Sequence, residues 1–116
     1  MTSDTESQGL KLRVDDLRDP PDTTWVIARD YGPAIEILAT GRVRTVSLDH
    51  DLGPEETGLD ICLWMSREGI WPKTIVLHTA NPLGREDMYD HLVHHAPRGT
   101  HVYHDWHTQE ADNWTD

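Results

Sequence analysis

The segment TVSLDHDLG (45–53) places chemically active side chains directly after an apolar run. Apolar residues alternate with small polar ones, as in a β-strand, and Asp49, His50 and Asp51 then follow before a Gly-Pro turn. In open α/β sheets, ligands bind at the carboxyl ends of the strands. The segment therefore predicts a binding site at the point where this strand ends.

Two other strand-like runs end on polar groups in the same way. LKLRV is followed by Asp15 and Asp16, and KTIVL is followed by His78 and Thr79. Carboxylates at two neighbouring strand ends suit a hard divalent cation, which takes one or two carboxylates and keeps several waters. The alternative is that these aspartates cap helices or turns. We expect a Mg²⁺ or Mn²⁺ site, and its candidate ligands are Asp15, Asp16, Asp49 and Asp51.

Two histidines, His50 and His78, stand at adjacent strand ends, where an imidazole can act as general acid or base near neutral pH. The alternative for each is a hydrogen-bonded structural role. The carboxylates on both sides of His50 favour its imidazolium form and make it a poorer base, so His78 is predicted to be the more important proton-transfer residue. Asp51 either completes the metal shell or orients a histidine. The candidate catalytic residues are His78, His50 and Asp49.

The segment Thr79–Arg85 joins a hydroxyl, an amide, a predicted helix start and an arginine within seven residues. A helix N-terminus binds anions through its free N–H groups, and an arginine can hold a phosphate with two hydrogen bonds. The alternative is that Asn81 only caps the helix and Arg85 lies in solvent. The candidate phosphate-binding residues are Arg18, Thr79, Asn81, Arg85 and His104.

The elements that must position these residues alternate between strand and helix patterns, which predicts a parallel sheet. The predicted strands are residues 10–14, 24–29, 42–49, 73–79 and 101–106, and the predicted helices begin at 33, 59 and 82. About nine residues join the first two strands, fewer than the dozen or so of an ordinary parallel crossover. Pro20 and Pro21 in this connection disfavour a helix. We therefore expect a flavodoxin-like, three-layer α/β sandwich with five strands, its first helix reduced to a loop.

The whole chain has 116 residues, which predicts one domain at 10–106 between a disordered tail at 1–9 and a polar tail at 107–116. Its formal charge of −11 argues against sequence-independent binding to duplex DNA. Cys62 is the single cysteine, which fits a reducing compartment. There is no membrane-spanning apolar run and no signal-peptide pattern, so a cytoplasmic location without membrane contact is expected.

The acidic pair after the first strand, the aspartate ending the third and the Thr-Ala after the fourth resemble the receiver domains of two-component signalling. A receiver has a lysine at the end of its fifth strand, where this chain has Tyr103-His104-Asp105. The motifs are more similar to those of cyclic-phosphate-processing receiver domains. That similarity covers 10–96 and rests on Asp15-Asp16-Leu-Arg18, on Ser47-Leu-Asp-His-Asp-Leu-Gly53 with Thr57-Gly58, and on the run from His78 to Met88.

The resemblance implies that Asp15, Asp16 and Asp49 hold a divalent cation and that Thr79 contacts phosphate. It also implies a phosphoesterase-like activity on nucleotides or RNA ends that bear cyclic phosphates, in phage–host conflict or RNA repair. Two other functions stay open: a module that binds a cyclic nucleotide without cleaving it, and a degenerate receiver that acts through protein contacts. The expected partner is a small cyclic-phosphate nucleotide or an RNA terminus, and the oligomeric state is left open.

Overall fold

A computed structural model of the chain describes residues 9–20 and 22–104, which form a five-stranded parallel sheet and three helices. Along the sheet the strands follow the order β2-β1-β3-β4-β5. The strands are β1 Leu10–Val14, β2 Trp25–Ala28, β3 Val43–Leu48, β4 Thr74–Leu77 and β5 His101–His104. The helices are α1 Tyr31–Leu38, α2 Gly58–Glu68 and α3 Pro82–His95.

One face of the sheet forms the core with the three helices. Leu12 pairs with Val46, and Val46 with Ile75, so these three side chains lie in one row. All three are fully buried. The same core includes buried residues of each helix: Ala34, Leu38, Ile61, Cys62, Trp64, Met65, Met88 and Leu92. The predicted parallel α/β receiver-like fold is confirmed.

The parallel arrangement brings the predicted strand ends to one edge of the sheet. The backbone N–H of Asp49 donates to the carbonyl of Val14, and that of His78 donates to the carbonyl of Leu48, each at 3.0 Å. The N–H of Asp15 donates likewise to Ala28 at 3.1 Å. Each of these residues therefore continues its ladder by one step past the strand. They consequently stand side by side at the carboxyl edge.

The connection between β1 and β2 contains no helix among its described residues, as expected from its prolines. The guanidinium of Arg29, which directly follows β2, holds this loop in place. It donates to the carbonyl of Arg18 at 2.9 Å and to the carboxylate of Asp19 at 2.7 Å. The reduced first helix is thus replaced by a loop that a side chain outside the loop fixes in place.

Several boundaries differ from the prediction. Helix α1 begins at Tyr31, two residues before Pro33, because the first-turn N–H groups have no intrahelical partner and a proline there breaks no bond. Strands β2, β3 and β4 are each shorter than predicted. Residues 105 and 106 of the predicted fifth strand, and most of both predicted tails, lie outside the described residues. None of the described helices is long and apolar enough to span a bilayer.

Candidate functional site

The floor of the site is a buried contact between a carboxylate and an imidazole. Nε2 of His78 lies 2.9 Å from Oδ2 of Asp15, and both residues are buried. Because an ionised carboxylate only accepts hydrogen bonds, Nε2 must carry a proton and donate a hydrogen bond to Asp15. Nδ1 of the same ring lies 2.6 Å from the hydroxyl of Ser47, which is fully buried on β3. Both nitrogens of His78 therefore have hydrogen-bond partners inside the protein.

Asp15 is held on all sides by donors. Its Oδ1 accepts from the backbone N–H groups of Leu17 at 2.9 Å and Arg18 at 2.8 Å, while Oδ2 also lies 3.5 Å from the buried guanidinium of Arg13. Burial by itself would raise the pKa of Asp15. The hydrogen bonds from His78, Arg18 and Leu17 outweigh that effect and hold the pKa well below its usual range. Asp15 is therefore ionised at neutral pH at the floor of the site.

Asp49 has a different environment although it lies close by. It is half-buried, and burial raises its pKa, helped by the negative charge of Asp15. The side chain of Thr79 hydrogen-bonds to the carboxylate, and His78 lies near; both lower the pKa without reversing the shift. The site thus pairs one firmly ionised carboxylate with one that is more easily protonated.

Among the described residues, Asp15, Asp49 and His78 form a group that can hold a metal ion. Each offers one ligand atom, and the three atoms lie within 4.8 Å of one another. Asp16, a predicted ligand, is not part of this group, and neither is Asp51. The group therefore fits a divalent cation with two carboxylates and one imidazole as protein ligands.

A cavity of about 220 Å³ opens above this group. We call it the carboxylate cavity, and it is lined by Asp15, Asp16, Leu17, Arg18, Asp49, Asp51, His78, Thr79 and Ala80. Of the predicted phosphate-binding residues, Arg18 and Thr79 line the cavity. His50, Asn81, Arg85 and His104 are not among its lining residues.

His50 points instead toward helix α3. Its Nδ1 lies 2.9 Å from a carboxylate oxygen of Asp51, and this hydrogen bond lowers the pKa of Asp51. A Cβ atom built on Gly84 would overlap the ring of His50. A glycine is therefore required at residue 84 so that the imidazole can lie against the first turn of α3. The catalytic role of His50 stays a prediction, and the structure gives the ring a packing role.

Asn81 caps α3 and also joins it to the site. Its Oδ1 accepts from the N–H of Gly84 at 3.0 Å, as expected of an N-cap, and its amide donates to Asp51 at 3.3 Å. The guanidinium of Arg85 donates to the carbonyl of Thr79 at 3.4 Å. Asn81 and Arg85 thus support the segment that carries Thr79. Their contact with phosphate stays a prediction.

His104, the last described residue of β5, lies beside α3. Its ring makes an edge-to-face contact with Tyr89, with centroids 4.6 Å apart. Burial lowers the pKa of His104, and the charge of Arg85 lowers it further. Its contact with phosphate likewise stays a prediction.

Three contributors were missed by reasoning from the sequence: Arg13, Ser47 and Arg29. Alternation along neighbouring strands was the available signal for two of them. Arg13 is two residues before Asp15, so both point to one face of the sheet, and Ser47 stands in the same relation to Asp49. Arg29 had no such signal, because its partners lie in a loop whose path the sequence leaves open.

The motif Thr57-Gly58 positions the start of α2 against the site. Thr57 and Asp60 form a capping box, in which the N–H of Thr57 donates to Asp60 at 2.8 Å. A Cβ on Gly58 would overlap the carbonyl oxygen of Asp49 and press on the sulfur of Met88. The glycine therefore allows α2 to begin directly against the strand end that carries Asp49.

The similarity of the motifs is part of a similarity between most of this chain and a protein family. A comparison with curated proteins found no match. A family model described as the cyclic-phosphate processing receiver domain matches residues 10–94, which is most of the chain and all of the described site except His104. The chain therefore belongs to the family of cyclic-phosphate processing receiver domains.

Proposed function

We propose that this domain is a metal-dependent phosphoesterase that acts on cyclic phosphates of nucleotides or RNA ends. The observation that carries the proposal is the group of Asp15, Asp49 and His78 at the floor of the carboxylate cavity. Membership of a family associated with cyclic-phosphate processing supports the choice of substrate. The firmly ionised Asp15 supports a role in holding a cation.

The residues of the floor fit a divalent cation in charge and in donor type. When bound, such an ion polarises a phosphoryl oxygen and lowers the pKa of a coordinated water. Asp15 and Asp49 offset its charge, and Thr79 keeps the Asp49 carboxylate oriented through its hydroxyl. The protein thus supplies a rigid set of ligands beneath an open cavity.

Arg18 is the cationic side chain that lines the cavity, and it is exposed there. Its backbone is fixed at both ends, because its N–H donates to Asp15 and its carbonyl accepts from Arg29. A guanidinium on such a loop can meet two oxygens of a phosphate. We assign Arg18 and Thr79, both of which line the cavity, to phosphate binding.

Proton transfer by His78 would have to begin from its present contacts. Its Nε2 proton is directed at Asp15, and its Nδ1 faces Ser47. Neither nitrogen is directed at a substrate until one of these hydrogen bonds opens. The sequence-based assignment of His78 as the main acid or base therefore stays a prediction, with Asp49 and His50 as the other candidates.

A second cavity supports a nucleotide as the substrate. It has a volume of about 350 Å³ and is lined by residues 30–33, by Leu52 and by 54–56. These segments follow β2 and β3, so this cavity opens at the same sheet edge. Asp51 lines the carboxylate cavity and its neighbour Leu52 lines the second one. The second cavity, with Tyr31 in its wall, can receive a base while the phosphate occupies the first.

A phosphodiesterase screen tests the proposal, with 2′,3′- and 3′,5′-cyclic nucleotides, cyclic dinucleotides and RNA ends, each with and without Mg²⁺ or Mn²⁺. We expect turnover that requires the cation and that is lost in Asp49→Asn. Asp90→Asn, on the exposed side of α3, is the matched control and should keep full activity.

The screen also separates the alternatives. Binding of a cyclic nucleotide without turnover under any condition would favour a sequestering module. Absence of both binding and turnover across the whole panel would contradict the proposal and leave a receiver that acts through protein contacts.

A further inference from the structure

We infer that His78 is itself a ligand of the cation, and that the site therefore prefers a divalent transition metal ion such as Mn²⁺, Fe²⁺ or Zn²⁺ to Mg²⁺. The inference rests on the metal site of the proposed function and goes beyond it by naming the class of ion.

The first step is the spacing of the ligand atoms. Nε2 of His78 and Oδ2 of Asp15 are 2.9 Å apart. Two neighbouring ligands at right angles around an ion, each bonded at about 2.1 Å, are separated by about 3.0 Å. This separation is also the length of their present hydrogen bond, so the ring or the carboxylate must turn for both atoms to face one ion, but the distance between them need not change. Asp49 completes the group within the same 4.8 Å span.

The second step is the tautomer of His78. Nε2 carries a proton because it faces the ionised Asp15, and Nδ1 lies 2.6 Å from the Ser47 hydroxyl, which can donate to this nitrogen or accept from it. Metal binding at Nε2 requires that this nitrogen lose its proton. The metal-bound ring is then neutral, and its one proton is on Nδ1. That Nδ1–H donates to the oxygen of Ser47.

Ser47 suits this exchange because a hydroxyl both donates and accepts. A carbonyl in its place would allow only the Nδ1–H form, and an amide N–H only the other. Metal-bound histidines regularly donate their second nitrogen to such an outer partner, which fixes the ring. Ser47 is fully buried and lies 2.6 Å from Nδ1, so we assign it as the positioning residue of His78.

The third step is charge. The ligand group contains two carboxylates, Asp15 and Asp49, whose combined charge matches that of a divalent ion. The predicted acidic pair would supply oxygen ligands alone, but Asp16 lies outside the ligand group and His78 stands within it.

The class of ion follows from the donors. Mg²⁺ favours oxygen ligands in octahedral geometry and dehydrates reluctantly. Imidazole nitrogen suits the later first-row ions, whose affinity for nitrogen sites rises along the series from manganese to copper. One imidazole with two carboxylates is therefore a better site for Mn²⁺, Fe²⁺ or Zn²⁺ than for Mg²⁺.

Direct binding measurements test the inference without any substrate. We would titrate the full chain with Mn²⁺, following free Mn²⁺ by electron paramagnetic resonance, and then displace it with Mg²⁺. The wild type should bind Mn²⁺ at least about tenfold more tightly than Mg²⁺. In His78→Asn the ratio of the two affinities should fall by about tenfold or more. Ser47→Ala should weaken Mn²⁺ binding by about 10- to 100-fold.

His95→Asn is the matched control, because His95 lies at the exposed end of α3, stacked on His91. It should leave Mn²⁺ binding at the site unchanged. If His78→Asn and His95→Asn both keep the wild-type ratio of Mn²⁺ to Mg²⁺ affinity, His78 is not a ligand and the inference fails.

A second measurement uses the wild type and does not depend on how well variants fold. Long-range ¹H–¹⁵N spectra of the histidine rings report which nitrogen carries the proton. On addition of Zn²⁺ we expect the His78 signal to change from the Nε2–H to the Nδ1–H form. A ring that stays in the Nε2–H form in saturating Zn²⁺ overturns the inference.

The two proposals fail in different ways. Metal binding through His78 without turnover of any cyclic phosphate would remove the phosphoesterase function and leave this inference intact. Turnover that Mg²⁺ and Mn²⁺ support equally, with the His78 ring in the Nε2–H form throughout, would support the phosphoesterase function and overturn this inference.

Discussion

Nε2 of His78 donates to Oδ2 of Asp15 across 2.9 Å, although the two residues are 63 positions apart in the chain. The hydrogen bond joins the ends of β1 and β4, which are not neighbours in the sheet, over the intervening end of β3. It therefore closes the floor of the carboxylate cavity. The stability of the fold and the form of the site depend on the same contact.

Asp15→Asn should destabilise the protein at neutral pH, because it removes the negative charge next to His78 and Arg13. Removing one member of a buried ion pair costs about 3–5 kcal/mol, and we expect a loss near the lower limit because the amide keeps the shape of the side chain. Urea denaturation at pH 7 measures the change. Asp16→Asn, at a less buried position in the same cavity, should change the free energy of unfolding by less than about 1 kcal/mol.

The stabilisation from Asp15 should disappear in acid. The folded-state pKa of Asp15 lies below its ordinary value of 3.8, so its contribution is present above that value and is lost as the pH falls toward the folded-state pKa. The difference in unfolding free energy between wild type and Asp15→Asn should shrink as the pH falls below about pH 4. A difference that widens as the pH falls would contradict this assignment.

Gly58→Ala should be costly, because the new Cβ would overlap the carbonyl oxygen of Asp49, a backbone atom that cannot move aside easily. We expect a loss of about 1–3 kcal/mol in thermal or urea unfolding. Gly32→Ala is the control, since a Cβ at that helical position meets no atom within 4 Å. The control should be neutral or stabilising by up to about 1 kcal/mol. Equal effects of the two substitutions would contradict the close contact at Gly58.

The substitutions Gly84→Ala and His50→Ala should be strongly non-additive. Gly84→Ala alone forces the His50 ring away from α3, whereas in the His50→Ala background the space is vacant. A double-mutant cycle in urea should therefore give a coupling energy of about 1 kcal/mol or more, with the double variant more stable than the sum predicts. Additive effects would mean that the ring does not occupy this position in solution.

Arg29→Lys should impair function more than stability. The guanidinium of Arg29 bonds to Arg18 and Asp19 at the surface, and exposed pairs contribute only about 0–1 kcal/mol. A lysine cannot make both bonds with the same geometry. We expect a rise of about three- to fivefold in KM for the cyclic phosphate, which is about 0.7–1 kcal/mol in binding free energy, because the loop that carries Arg18 loses its support. Arg67→Lys, on the exposed side of α2, should change neither KM nor stability.

The sequence by itself determined the fold class and the edge at which the site forms. Apolar runs that stop on Asp15, Asp49 and His78 predict three strand ends, and in a parallel sheet all strand ends of one kind share an edge. The proline-rich connection after β1 correctly predicted the reduced first helix. Pro82 and Asn81 likewise predicted the start of α3, because capping depends only on residues adjacent in the chain.

The tertiary structure decided which of these side chains meet, and in what direction they point. Asp16 lines the carboxylate cavity but lies outside the group in which His78 meets Asp15 from another strand, and its role as a ligand stays a prediction. His50 and His78 both follow apolar strands, yet the glycine at residue 84 leaves space for the His50 ring beside α3.

The physical reason is that strand and helix signals are local in the sequence. The direction of a side chain depends instead on the atoms of neighbouring strands and helices that pack against it. Register between β3 and β4 is set by rows of core residues such as Val46 and Ile75. Once that register exists, Ser47 necessarily lies beside the ring of His78, and the partners of both ring nitrogens follow. No pattern within either strand contains that information, because it arises only when the two strands are placed side by side.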